Sequence, residues 1–176
     1  MQSRRVGIWF YYVWAVVVFA IDYGSKKLIE HTLALYEQIS VIGNFFLITS
    51  IRNRGAAFGI LQEKRFFFIL ITLVVVVAIL WYLHRTYKSG SRLMLFALAT
   101  VLGGAVGNFL DRALFGEVVD FLQFNFGSYT FPIFNMADVS ICVGVGMIIL
   151  DSLLTGRQEK KNEHEQAEQP QDEQTV

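Results

Sequence analysis

Residues 93–112 read LMLFALATVLGGAVGNFLDR. From Leu93 to Gly107 there is no charged or amide side chain; then Asn108, Asp111 and Arg112 follow in close succession. A helix needs roughly 20 residues to cross the hydrocarbon core of a bilayer. This stretch therefore predicts a membrane-spanning helix with its polar groups gathered at one end. Gly103 and Gly107 form a G-x-x-x-G pair inside it. Such a pair lets a neighbouring helix approach closely, although glycine is also simply tolerated in membrane helices.

Three more apolar stretches flank it, at about residues 6–21, 66–83 and 131–150, the last broken near its start by Asn135 and Asp138. Only helices and closed barrels satisfy their backbone in lipid. Barrel strands alternate in polarity, and these runs do not. The expected fold is an all-α membrane protein with four transmembrane helices. The first stretch follows Arg4 and Arg5, as a signal peptide would, but it is rich in aromatic residues and no small-x-small cleavage site follows. It reads as a retained span. Between the first two spans, Ile39, Val41, Phe45, Leu47, Thr49 and Ile51 roughly alternate with other residues, which predicts a small extracytoplasmic β element between helices 1 and 2. Arg52-Asn53-Arg54-Gly55 then predicts a turn. Residues 1–155 form the expected membrane domain. Residues 156–176 are rich in Glu, Gln and Lys and are expected to be a disordered cytoplasmic tail.

Composition agrees. Hydrophobic residues make up 54% of the 176, with a mean hydropathy of +0.45. The formal net charge is zero, which gives no electrostatic footprint for nucleic acid. The single cysteine, Cys142, cannot form an internal disulfide and reads as a small core- or lipid-facing residue. His31, His84 and His164 are scattered, so no metal site is expected. The sequence contains no H-E-x-x-H, no G-x-S-x-G and no phosphate- or dinucleotide-binding glycine motif.

The remaining polar residues converge. Asp22 and Lys26 close the first span; Asn53 and Arg54 lie in the first external loop; Asn108, Asp111 and Arg112 close the third span; Asp120 follows; Asn135 and Asp138 open the fourth. If the spans alternate in direction, all of these groups share the face opposite the termini. Several have plain structural readings. Asp22 and Lys26 stand at i and i+4 and can pair as an interfacial anchor. Asp111 and Arg112 can cap a helix end. Asp138 suits the positive end of a helix dipole. Asp120, in Gly116-Glu117-Val118-Val119-Asp120-Phe121, has no adjacent cation. Two carboxylates without metal ligands suggest an aspartic dyad, in which like charges cannot both ionise easily and one proton is shared. Transporters also pair acids near helix ends, so a small proton-coupled transporter is the alternative.

Five segments carry a more specific signal. Asp22-Tyr23-Gly24-Ser25-Lys26 is similar to the D-x-x-x-K of the signal peptidase II (prolipoprotein signal peptidase) family. Asn53-Arg54-Gly55-Ala56-Ala57-Phe58-Gly59 resembles its N-x-G-x-A-F-G, and Gly107-Asn108-Phe109-Leu110-Asp111-Arg112 its G-N-x-x-D-R. Gly116 to Phe121 resembles G-x-V-x-D-F, and Phe134-Asn135-Met136-Ala137-Asp138 resembles F-N-x-A-D. The resemblance implies an aspartic endopeptidase without a cofactor, with Asp120 and Asp138 as catalytic residues. It implies that Asn53, Asn108, Arg112 and Asn135 bind substrate, and that Asp22, Lys26 and Asp111 support the site. It implies diacylglyceryl-modified prolipoproteins as substrates, cut just before the lipidated cysteine, with membrane lipids around the enzyme. The implied location is the bacterial cytoplasmic membrane, with both termini cytoplasmic and the site near the outer face. Charge counting alone barely discriminates, because cations divide almost evenly between the two sides. A monomer is the expected state. The aromatic stretch Phe121, Phe124, Phe126, Tyr129, Phe131 and Phe134 reads as an interfacial loop that helps cover the site.

Overall fold

The structure, a computed structural model, describes residues 7–55 and 64–167, with side chains as far as residue 158. Ala56, Ala57, Phe58 and Gly59 of the second motif lie outside the described residues. Four helices, α1 (Ile8–Thr32), α2 (Arg65–Thr86), α3 (Arg92–Leu114) and α4 (Met136–Ala167), are joined by two extended connections. All four are long and apolar enough to cross a membrane, with the spanning part of α4 ending at Gln158.

In α1 the buried residues are Tyr11, Ala15, Val18, Asp22, Lys26 and Ile29. Their spacing of three and four draws one stripe along the helix. Asp22 and Lys26 therefore sit in line with the apolar residues that face α3, rather than beyond the helix end: α1 runs more than two turns past the apolar stretch read from sequence. α3 is the central helix and the most buried of the four. A β-carbon on Gly103 would stand 2.5 Å from the Ala15 carbonyl of α1, and one on Gly104 2.6 Å from the Ala137 carbonyl of α4. The close-approach reading of these glycines is the one the packing requires. α2 instead turns most of its side chains outward, with Phe66 85% exposed. In water that would be costly; in lipid it is the expected face.

The connections build a sheet in the order β1-β2-β3-β4 from β1 (Gln38–Ile42), β2 (Phe46–Asn53), β3 (Val118–Phe126) and β4 (Tyr129–Thr130), all antiparallel. The alternating stretch before α2 forms β1 and β2 as expected. The sheet is larger than the hairpin read from sequence, because half its strands come from between α3 and α4. The segment read as an aromatic loop is mostly β3 and β4. The predicted turn at residues 52–55 is also revised: Arg52 and Asn53 remain in the ladder, paired with Val119 and Val118. Val119 and Phe121 pack with Ile29 of α1 and with Leu33, the residue that follows that helix, seating the sheet on that end of the bundle. At the other end, α4 continues as helix to Ala167, so residues 156–167 are helical rather than disordered. Glu, Lys, Gln and Arg are strong helix formers and propagate a helix already nucleated in the membrane. Residues 168–176 lie outside the described residues.

Candidate active site

Three elements converge to place two carboxylates. Asp120 lies in β3, opposite Ile51 of β2. Asn53, two residues further along β2, is its diagonal neighbour on the same face. Asp138 stands in the first turn of α4. The chain before that helix is stitched to β3: the Phe134 carbonyl accepts from the Phe121 N–H (3.0 Å) and the Leu122 N–H (2.8 Å), and the Phe134 N–H donates to the Leu122 carbonyl (3.2 Å). That bridge carries Asn135 and Asp138 to the side of Asp120.

Asp120 is 2% exposed. The Asn53 amide donates to its Oδ2 (2.8 Å) and the Asn135 amide to its Oδ1 (2.6 Å). Asp138 Oδ1 accepts from the Asn108 amide (2.8 Å), and its Oδ2 from the Asn135 backbone N–H (3.1 Å). The Asp138 backbone N–H donates in return to Asn135 Oδ1 (3.1 Å), a reciprocal cap of α4. The cap reading of Asp138 and its place at the site thus hold together. Burial pushes the Asp120 carboxyl up to about 7. The Asn53 hydrogen bond opposes this, the nearby Asp138 charge adds to it, and the Asn135 hydrogen bond opposes it. A carboxyl that titrates near neutrality can both give and take a proton.

Each amide is held in one orientation by a donor on its oxygen. Asn53 Oδ1 accepts from the Gly55 N–H (2.9 Å), Asn135 Oδ1 from the Asp138 N–H, and Asn108 Oδ1 from Lys26 Nζ (2.9 Å). Every NH2 group therefore points toward a carboxylate. Arg112 donates to the Asn108 carbonyl (3.4 Å) and the Gly55 carbonyl (3.2 Å), and its guanidinium lies 5.0 Å from the Phe68 ring centroid of α2.

Asn53, Asn108, Arg112, Asp120, Asn135 and Asp138 all line one cavity of about 490 Å³. The sequence-predicted catalytic and substrate-binding residues are thus together. Asp22, Lys26 and Asp111 stand behind this wall as a separate buried cluster. Lys26 Nζ lies 2.7 Å from Asp22 Oδ2 and 2.7 Å from Asp111 Oδ2. The Asp111 contact is an ion pair by distance without hydrogen-bond alignment, leaving that oxygen short of a directed donor. The anticipated Asp111–Arg112 cap is replaced by this pair, because neighbours at i and i+1 diverge around a helix. Asp22 Oδ1 also accepts from the Ala137 N–H (2.8 Å), tying α1 to the start of α4.

The sequence reading missed the cavity's apolar wall. Val139, Cys142 and Val143 of α4 line it with Phe131, Pro132 and Ile133. Cys142 follows Asp138 by one turn, a spacing that would have placed it there. Of the aromatic stretch, Phe131 and Phe134 reach the cavity, whereas Phe126 and Tyr129 are exposed at the β3–β4 hairpin. Among the described residues no three His, Cys, Asp or Glu side chains are arranged to hold a metal ion.

Fold and site together define a polytopic membrane protein with a carboxylate-lined cavity at one end of its helical bundle. The family model described as signal peptidase (SPase) II matches residues 14–154. A lipoprotein signal peptidase of Bacillus pumilus is 48% identical over 153 residues, covering 87% of this chain and 98% of that protein. Another, from Brevibacillus brevis, is 51% identical over 150 residues, covering 85% and 99%. A solved structure described as a bacterial membrane enzyme, obtained by the in meso method at 2.3 Å, superposes with a TM-score of 0.78 at 37% identity. It covers 91% of this chain and 96% of that one. The chain belongs to the signal peptidase II family and is a membrane-embedded peptidase. The transporter alternative is not favoured.

Proposed function

We propose that Asp120 and Asp138 are the catalytic dyad of an aspartic endopeptidase. Its substrates are diacylglyceryl-modified prolipoproteins, and it cuts just before the lipidated cysteine. One observation carries the assignment: both carboxylates line a single cavity whose amides all aim N–H groups at them.

Asp138 takes a proton from a water held between the two acids, and the resulting hydroxide attacks the scissile carbonyl carbon. Asp120, neutral at the start, gives its proton to the carbonyl oxygen. As the tetrahedral intermediate collapses, Asp120 recovers a proton from one of its hydroxyls and Asp138 passes its own to the departing amine. The atoms balance, and no covalent enzyme intermediate or cofactor is involved. Asn53, Asn108 and Asn135 hold the carboxylates and contact the peptide, and Arg112 borders the same space. The apolar wall of Val139, Cys142 and Val143 suits a lipid-bearing substrate, and Val143 is 52% exposed.

Both termini face the cytoplasm and the site lies near the outer face of a bacterial cytoplasmic membrane. The acid-free, cationic loop at residues 85–92 supports this orientation. The enzyme acts as a monomer surrounded by membrane lipid.

The test uses purified protein in lipid or detergent and a diacylglyceryl-modified precursor, with signal-peptide loss followed by mass. Wild type is expected to cleave, and folded Asp120→Asn and Asp138→Asn variants are expected to lose about a thousandfold or more in turnover. Turnover retained in either folded variant removes that residue from the dyad.

A further inference from the structure

Lys26 belongs to α1, does not line the catalytic cavity, and is 2% exposed. An ammonium has three donors and no acceptor. Here Asp22 Oδ2 (2.7 Å) accepts a hydrogen bond from it, Asp111 Oδ2 (2.7 Å) pairs with it by charge without hydrogen-bond alignment, and Asn108 Oδ1 (2.9 Å) accepts a second hydrogen bond. The first two balance its charge. The third is different in kind, because an amide can turn over. With its oxygen on Lys26, Asn108 must present its NH2 to Asp138 Oδ1 (2.8 Å). Turned over, Asn108 would set NH2 against the ammonium and a carbonyl oxygen against the Asp138 carboxylate. Both contacts would be repulsive in a buried site.

The geometry points to Lys26 as a positioning residue for the reaction: it fixes the amide of Asn108 so that an N–H, and not a carbonyl, faces Asp138. This rests on the reading of Asp138 as half of the dyad. Asn135 assists, donating to Asn108 Oδ1 (3.2 Å), but it is neutral and also serves Asp120. Lys26 supplies the charge that makes the turned-over amide untenable. A hydrogen bond donated to a carboxylate favours its ionised form. Losing it lets the acid limb of the dyad's pH–rate profile move to higher pH.

The charged groups around this unit come from every element packed on it. Asp22 lies on α1, Asp111 and Arg112 on α3, Asp120 on β3 and Asp138 on α4. Lys27, Glu30, Arg52 and Glu117 border the small cavity that Lys26 shares on the opposite side. Lys27 pairs with Glu30 (2.6 Å) and Arg52 lies 3.8 Å from Glu117, so these groups have partners of their own.

Lys26→Met alone would leave Asp22 and Asp111 facing each other in a buried space. The primary variant is therefore Lys26→Met with Asp111→Asn, compared with Asp111→Asn alone. Each is assayed on the lipidated precursor for kcat, KM and pH profile, with folding followed by thermal melting. The expected result is a kcat lower by about tenfold to a hundredfold with KM within about twofold, since a hydrogen bond to a charged group is lost. The acid limb is expected to move up by about one pH unit, with the alkaline limb in place. Adding Asn108→Ala to the variant is expected to cost nothing beyond Asn108→Ala in the Asp111→Asn background, because Lys26 acts through that amide. An unmoved acid limb, or losses that add to those of Asn108→Ala, would overturn the proposal and leave Lys26 as packing only. A variant that fails to fold is replaced by Lys26→Met with Asp22→Asn, read in the same way. Asp138→Asn, run alongside, separates the two ideas: if it retains turnover the dyad reading fails, whatever Lys26 does.

Discussion

α4 carries an aspartate toward each end of its membrane-spanning part, Asp151 buried and Asp138 half-buried, and the two have different surroundings. Asp151, toward the end near the termini, accepts a hydrogen bond from the Ser91 hydroxyl. Ser91 also caps α3 by accepting from the Met94 N–H (2.9 Å). That carboxylate joins two helices. Asp138, at the other end, receives N–H groups from Asn108 and Asn135 and opens onto a cavity shared with a second carboxyl. Burial alone therefore does not mark a catalytic acid. What differs is the presence of a second acid within the same cavity, amides locked in one orientation, and space for a substrate.

The contrast can be broken most directly by exchanging charge for amide at each end. Asp138→Asn is expected to lose about a thousandfold or more in turnover, while Asp151→Asn stays within about twofold of wild type and melts lower, by about 1 kcal/mol of stability. Comparable loss from both would erase the distinction.

Asp120 offers a thermodynamic test. Its ordinary value is 3.8 and burial lifts it to about 7. Between those pH values the folded chain holds a proton that the unfolded chain has released, so unfolding becomes easier as pH rises. This contribution is complete below about pH 4 and is lost by the time pH exceeds about 7. Asp120→Asn lacks that slope. Relative to wild type it is expected to gain on the order of 2–4 kcal/mol between pH 4 and 8, read from melting curves. A constant difference between the two proteins across that range would mean Asp120 is not shifted.

Packing gives the smallest effect. A β-carbon at Gly107 would overlap Asp22 Oδ2, and Asp22 cannot retreat while it holds Lys26 and the Ala137 N–H. Gly107→Ala is expected to cost about 1–3 kcal/mol in thermal or denaturant unfolding. Gly146→Ala, on α4 with open space around it, is expected to be neutral or slightly stabilising. Equal effects at the two positions would deny that α1 and α3 meet as closely as described.

Much of this was legible from residue order. Membrane spans announce themselves by length and apolarity, because lipid leaves the backbone few options. The Asp22–Lys26 pair follows from helical spacing alone. Asp120 stood out as an acid in an apolar stretch without a neighbouring cation. The partner of Asp111 was not legible, since Lys26 comes from another helix. Nor was the ladder between β2 and β3, whose pairing joins Asn53 to Val118 across the whole of α2 and α3.

The sequence by itself determined that the chain crosses a membrane, that its polar residues gather at one boundary, and that its motifs match one family. These properties depend on transfer energies and local periodicity, which accumulate along the chain. The tertiary structure alone decided which amide faces which carboxylate, where the apolar wall of the cavity lies, and that a lysine outside the cavity governs the polarity of an asparagine within it. Those properties depend on distances between segments far apart in the chain, and directional hydrogen bonds exist only once those segments have met.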